Sequence, residues 1–361
     1  MALLRDSRVR RVGLRRLAIC TVVVLVATFG LVSHAEGVDE IAGSEASAGR
    51  SPLFRSLDSG RHWTRLSTGL DERAVGNLAI DRNSPGTVYA SSNDLGAVRI
   101  VRSTDMGETW KVLAPTFTFA NIFDIEIVST SPPTLVVATF GVARSTDGGA
   151  SWTVGNAFMG QVDDVAIDPS DPSIVFAVSF DGVIYRSIDG GRTFVENYTF
   201  PGPALQSVAV SPVSSDVVYV AGSMGTFVSR NGGRTWNPTG IDTRAGDVAC
   251  VVPDVATQDS VVFGCYFGGI YRSDDAGARS TQVFAVHPVG HAAASVYDVV
   301  QNAGKPREYF ASCYGVGVVR SRDRGQTWTV FRRGLGNREI ISVAVDPNIP
   351  GLVYAGGITF D

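Results

Sequence analysis

Cysteine is scarce. The 361 residues hold four, and the three beyond residue 35, Cys250, Cys265 and Cys313, stand at no metal-binding spacing. Cys265 and Cys313 lie eight residues before the same repeated serine in neighbouring units, places too far apart for a disulfide. Buried free thiols are therefore expected. His287 and His291 are four apart, but Pro288 and Gly290 between them disfavour a helix that presents both to zinc. No metal and no cofactor is expected. Long apolar runs are missing too: the longest, Leu17–Val32, has 16 residues, short of the ~20 a spanning helix needs. Beyond residue 35 there is no basic cluster. That part carries 25 basic and 34 acidic residues, a net of −9, which argues against nucleic acid or an anionic membrane surface as partner.

What the chain has in quantity is one short phrase, Ser-x-Asp-x-Gly-x-x-Trp, repeated seven times. It runs Ser56-Asp58-Gly60-Trp63, Ser103-Asp105-Gly107-Trp110, Ser145-Asp147-Gly149-Trp152 and Ser187-Asp189-Gly191-Phe194. It continues as Ser229-Asn231-Gly233-Trp236, Ser273-Asp275-Gly277-Ser280 and Ser321-Asp323-Gly325-Trp328. The Asp or Asn positions are 47, 42, 42, 42, 44 and 48 residues apart, the period of a four-stranded propeller blade. A short carboxylate accepts amide hydrogen bonds in the turn after it, Gly admits positive φ, and the aromatic anchors the following strand. Asp58, Asp105, Asp147, Asp189, Asn231, Asp275 and Asp323 are accordingly read as structural.

Apolar segments punctuated by Asp-Pro and Gly precede each phrase, as in Val162–Ile167, Ile174–Val178 and Gly182–Arg186. Each unit therefore holds four strands, a to d, with a and b around the Asp-Pro turn and c and d around the Asp phrase. The chain begins with only c and d (Leu53–Arg55, Trp63–Leu66) and ends with only a and b (Ile340–Val345, Leu352–Ala355). The expected fold is all-β: a single seven-bladed propeller of antiparallel blades, closed by pairing the first half-blade with the last. Closure leaves no sheet edge between the termini.

Residues 1–35 read as a signal peptide. Arg5, Arg8, Arg10, Arg11, Arg15 and Arg16 precede the apolar run, and Ser33-His34-Ala35 supplies small residues at its exit. Residues 36–50, rich in Ala, Gly, Ser and Glu, read as a flexible linker, and 51–361 as the propeller. The expectation is a secreted or periplasmic monomer, with an uncleaved N-terminal anchor as the alternative to cleavage after about Ala35.

The phrase resembles the Asp-box, or BNR repeat, of sialidases, xyloglucanases, sortilin-type receptors and the photosystem II assembly factors. Ser342-Val343-Ala344-Val345-Asp346-Pro347 with Leu352-Val353-Tyr354-Ala355 looks most like the xyloglucanase and sortilin branch. The resemblance covers nearly all of 51–361 and implies the fold; for activity it implies hydrolase, receptor or assembly factor. In the enzymes it resembles, the Asp phrases lie on the face opposite the active site. Asn93-Asp94-Leu95-Gly96-Ala97 resembles the loop that holds a catalytic Asp in xyloglucanases, but is one residue longer and lacks an Arg-Thr pair. Those enzymes work in a cleft between two propellers, whereas this sequence holds one. No Arg-Ile-Pro stretch is present, which departs from sialidases.

The d–a and b–c loops should share the face away from the Asp phrases. Phe140, Phe180, Phe267 and Tyr314 come from b–c loops; Phe119, Phe158, Tyr198 and Phe200 come from d–a loops. Aligning strand a puts Asn77, Asp124, Asp164, Ser207, Asp247, Asp298 and Ser342 at one position, a polar ring around the axis. Such carboxylates can take a sugar hydroxyl, raise one another's pKa, or cap a neighbouring strand. The candidate binding residues are Phe140, Phe180, Phe267, Tyr314, Asp124, Asp247 and Asp298. Asp94 and Asp164 are the candidate catalytic carboxyls, two such groups being what a glycosidase needs. The leading expectation is a module that binds a glycan or an extracytoplasmic protein. The alternatives are a glycoside hydrolase of xyloglucanase or sialidase type, and an assembly factor for an exported complex.

Overall fold

The computed structural model describes residues 51–66, 74–94, 97–114, 119–155, 160–202, 204–241, 247–286, 295–336 and 339–359; the signal and linker assigned to 1–50 lie outside them. The described residues form seven four-stranded antiparallel sheets arranged as a seven-bladed β-propeller, with no helix among them. None, therefore, is long and apolar enough to cross a membrane. Blades I to VII are numbered here by their inner strand a: Ala74–Ile80, Asp124–Val128, Val162–Ile167, Leu205–Ser211, Val248–Pro253, Ser295–Gln301 and Ile340–Val345.

Blade VII is the composite one. Its strands run in the order Thr64–Arg65, Leu53–Ser56, Val353–Gly357, Ile340–Val345, so the start of the described chain and its end share a sheet. Leu53 pairs with Gly356, Phe54 with Ala355, Arg55 with Tyr354 and Ser56 with Val353. Phe54, Val353 and Ala355 are wholly buried in one cluster with Trp63 and Phe310. Burying side chains of this size is worth about 2–3 kcal/mol each, which holds the ring shut without a disulfide.

The repeated phrase folds the same way seven times. In the Asp147 turn, Ser145 Oγ donates to Asp147 Oδ1 at 2.7 Å and accepts from the Gly149 amide at 2.8 Å. Asp147 Oδ1 accepts the Ser151 amide at 2.9 Å, and Oδ2 accepts the Ser151 hydroxyl. Hydrogen bonds from the Ser151 and Ser145 side chains and the Ser151 amide hold the Asp147 carboxyl down at about 2. Gly149 has φ +90°, and a Cβ there would stand 2.5 Å from Leu113 Cδ1, so no other residue fits the turn.

Arginines that precede the phrase tie four of the turns to the next. Arg55 reaches the Met106 carbonyl, Arg144 the Gly190 carbonyl, Arg272 the Arg324 carbonyl and Arg320 the Ser59 carbonyl. Each acceptor directly follows the Asp of the neighbouring phrase, at 2.7–3.0 Å. Two of these joints, Arg320 to Ser59 and Arg55 to Met106, flank the composite blade on either side.

Candidate functional site

The seven a strands surround a channel of about 1100 Å³ that runs from the b–c loops to the a–b turns. Two layers of side chains line its upper part, and the backbone decides which residue belongs to which.

The lower layer staples neighbouring blades. Asp164 Oδ2 accepts the Val208 amide at 2.7 Å, Ser207 Oγ the Val251 amide at 3.3 Å, and Ser342 Oγ the Leu78 amide at 3.1 Å. Asp298 Oδ2 accepts the Val343 amide at 3.0 Å, and Asp124 interacts with the Val165 amide and with Asp164. Asn77 donates from Nδ2 to the Ile122 carbonyl at 2.9 Å. These carboxyls line the channel, half-buried in its wall. Burial pushes Asp124 and Asp298 up to about 6, and burial together with the Asp124 charge lifts Asp164 well above the carboxylate range. Two residues further along the same strand, burial and then the Asp124 charge push Glu126 up to about 8.

The placement of Asp247 in this ring needs correction. In blade V the residue opposite Gly264, and directly before the stapled Val251, is Cys250. Asp247 stands three residues upstream, before the strand begins, and its carbonyl accepts the Tyr266 amide at 2.9 Å. It still lines the channel, but nearer the mouth. The ring therefore has three carboxyls, Asp124, Asp164 and Asp298, and a thiol that burial raises well above the usual range.

The upper layer comes from register shifts. Where strand a meets strand b, the residue just before the ring position is bulged out in blades III to VII, as the jumps Val162/Asp164, Leu205/Ser207, Val248/Cys250, Val296/Asp298 and Ile340/Ser342 record. A bulge leaves one residue unpaired and re-aims its side chain. Asp163, Gln206, Tyr297 and Ile341 reach the channel wall in this way, and Phe123 joins them from blade II. None of these was singled out from the sequence, because nothing in a strand's alternation marks a bulge in advance.

Aromatic side chains gather on two sides of the mouth. On blades II and III, Phe123 stacks edge-on against Phe140 at 5.9 Å, Phe140 is 54% exposed, and Phe180 lines the channel. On blades V and VI, Tyr297 stands 5.1 Å from Tyr266 and 5.9 Å from Tyr314, beside Phe267, which is 46% exposed. Phe267 has φ +61°, a conformation that a bulky residue rarely adopts. The two groups stand three blades apart in a ring of seven, so they face each other across the opening. Two of the expected loop aromatics are not available there. Phe119 is buried edge-on to Trp152 at 5.2 Å, and Phe200 is buried against Phe227 at 4.3 Å, so both belong to the interblade core. Tyr198 is exposed on the outer strand of blade III. Phe158, His287 and His291 lie outside the described residues.

Asp94 ends strand b of blade I and pairs with Ala97 across the hairpin. Its side chain lies outside what is described. Among the described residues no group of three or more His, Cys, Asp or Glu could hold a metal ion.

No protein-family model matches the chain. It is 25% identical over 313 residues to a xyloglucanase of Hypocrea jecorina and 24% identical over 321 residues to a xyloglucanase of Paenibacillus sp, in each case over 81% of its own length. It spans only 35% and 30% of those relatives. Among solved structures it is similar to a GH74 enzyme of Niastella koreensis, with TM-score 0.60, 17% identity, and coverage of 80% of this chain and 53% of that one. It is also similar to YCF48 of Cyanidioschyzon merolae, with TM-score 0.56, 16% identity, and coverage of 79% and 96%. At these identities the structural likeness is one of fold. The sequence relatives make the chain a glycoside hydrolase-like propeller.

Proposed function

We propose that this protein is an exported Asp-box propeller that binds a polysaccharide of the β-glucan type across its loop face. The observation that carries the reading is the pair of aromatic groups opposed across the mouth, Phe140 and Phe180 on one side and Phe267 and Tyr314 on the other. Aromatic faces cover the C–H faces of sugar rings, and a few convergent polar groups fix their orientation. Asp124, Asp247 and Asp298 line the channel below, where hydroxyls entering from the mouth would meet them. The exposed Phe267 is held at positive φ, a conformation a bulky residue rarely adopts, which is expected of a residue kept for a ligand. Xyloglucanase relatives over four-fifths of the chain favour a neutral polysaccharide over a protein partner. The signal read in residues 1–35 would place the propeller outside the cytoplasm.

The same relatives favour a second reading, a glycoside hydrolase with Asp94 and Asp164 as its carboxyls. Asp164 is the weaker of the two for that role, because its Oδ2 is engaged by the Val208 amide. A third reading, an assembly factor, would require one stoichiometric protein partner on co-purification.

The test is calorimetric titration of the mature domain with xyloglucan, mixed-linkage β-glucan and sialosides, beside an assay for released sugar. Binding of a β-glucan, weakened tenfold or more by Phe140→Ala or Phe180→Ala and without turnover, is the expected result. Turnover abolished by Asp94→Asn would replace it with the hydrolase, and wild-type protein that binds none of these glycans would overturn it.

A further inference from the structure

Blade III carries a polar group that neither the interblade staples nor the turn phrases use. The bulge between Val162 and Asp164 turns the Asp163 side chain into the channel wall. Asp163 Oδ1 accepts a hydrogen bond from Gln161 Nε2 at 2.6 Å, while Oδ2 is enclosed and has no protein partner. An enclosed carboxyl oxygen left without a partner costs free energy, and a ligand hydroxyl is one group that would satisfy it. The terminal torsion of Asp is soft, so a small turn of the carboxyl offers Oδ2 to the channel without leaving the rotamer.

Backbone contacts bring two rings to the same place. Phe140 bridges Gln161 in antiparallel fashion, and the Phe180 amide donates to the Gln161 carbonyl at 3.1 Å. Phe140 is thus fixed on the blade II side of the Gln161–Asp163 pair and Phe180 on the blade III side. Asp181 follows Phe180 at the exposed tip of the b–c turn, and its charge acts on Asp163. Burial first, and the Asp181 charge after it, push Asp163 up to about 7, so the carboxyl carries its proton in mildly acidic solution and can donate as well as accept.

We propose that Gln161, Asp163, Phe140 and Phe180 form a subsite for one neutral hexose unit, with Asp163 and Gln161 reading two of its hydroxyls and the phenyl rings covering its apolar faces. The proposal rests on the reading of the mouth as a polysaccharide site and specifies where one sugar of that chain is held. An amide–carboxyl pair between two rings fits an uncharged polyol, because a single protonated carboxyl offers a cation little.

The experiment compares binding of cellotetraose and of a chitosan tetramer at pH 5.5 by the mature wild-type protein and by Asp163→Ala, Gln161→Ala and Phe267→Ala. Each variant is first checked for an unchanged melting midpoint. Wild type should prefer cellotetraose, and Asp163→Ala and Gln161→Ala should each weaken it tenfold or more. Gln161→Ala alone decides the matter if Asp163→Ala does not fold. Phe267→Ala, on the far side of the mouth, separates the two claims. If it weakens cellotetraose while the Asp163 and Gln161 variants bind like wild type, the mouth reading stands and the subsite is overturned. Stronger binding of the chitosan tetramer than of cellotetraose also overturns it, in favour of a cation site. Failure of wild type to bind any neutral oligosaccharide overturns both.

Discussion

The Asp298 carboxylate accepts the amide of Val343 at 3.0 Å, and Val343 belongs to the next blade. A carboxyl recruited to cap a neighbour's strand in this way is desolvated by the same packing that positions it, and burial pushes it up to about 6. At pH 8 the folded protein must hold it ionised, against that preference. Asn accepts the same amide without a charge. Asp298→Asn is therefore expected to stabilise the fold at pH 8 by on the order of 1–2 kcal/mol and to be neutral or destabilising at pH 4.5. Denaturant unfolding at the two pH values reads the difference; equal effects at both would show that the charge does not matter.

The whole chain should follow the same sign. Asp124, Asp163, Asp298 and Glu126 are raised to between about 6 and about 8, above the ordinary carboxylate value near 4. Across that interval the folded state binds more protons than the unfolded one, so their contribution to stability is lost as pH rises from about 4 to about 8. Asp105, Asp147 and Asp189 in the turns go the other way. Hydrogen bonds from Thr109, Ser151 and Thr193 hold them at about 2, so their contribution is present above pH 4 and fades as pH falls toward 2. The melting temperature should peak between pH 4 and 6 and decline on both sides. A monotonic rise up to pH 8 would contradict this assignment.

Removing a turn serine exposes what the phrase does. Ser145 Oγ satisfies the buried Gly149 amide at 2.8 Å, and Ala in its place leaves that amide without a partner. Ser145→Ala should cost about 1–3 kcal/mol in denaturant unfolding and leave ligand binding unchanged, since the turn is on the opposite face from the mouth.

Arg320 supports the seam where the ring closes. It pairs with Glu308, both side chains being under 10% exposed, donates to the Ser59 carbonyl at 3.0 Å, and lies over the Phe310 ring at 5.5 Å. Arg320→Ala strands the Glu308 carboxylate inside the protein and should cost about 3–5 kcal/mol. The double variant with Glu308→Gln should recover part of that loss, which a purely steric role for Arg320 would not allow.

Much of this was legible in the chain. The seven phrases fixed the number of blades, because a turn that needs Asp, a left-handed Gly and an aromatic anchor leaves a signature a reader can count. The half-blade at each end gave the closure seen in the pairing of Phe54 with Ala355. Register was harder. Blade V reads Pro253-Asp254 where blades III and VII read Asp168-Pro169 and Asp346-Pro347, so the landmark that sets the alignment is inverted, and Cys250 rather than Asp247 fills the ring position. The bulged residues escaped for another reason. Asp163 and Tyr297 owe their place to an extra backbone residue, and strand periodicity carries no record of it. Phe119 and Phe200 were misread because a loop aromatic and a core aromatic look alike until the neighbouring blade is present to bury one of them.

The most direct measurement is the pattern of amide chemical-shift changes when cellotetraose is titrated into isotope-labelled mature protein. Shifts concentrated at Phe140, Gln161, Asp163, Phe180 and Phe267, with the Gly149 and Gly325 turn amides unmoved, are the predicted outcome. Changes confined to the turn face, or none at saturating sugar, would contradict it.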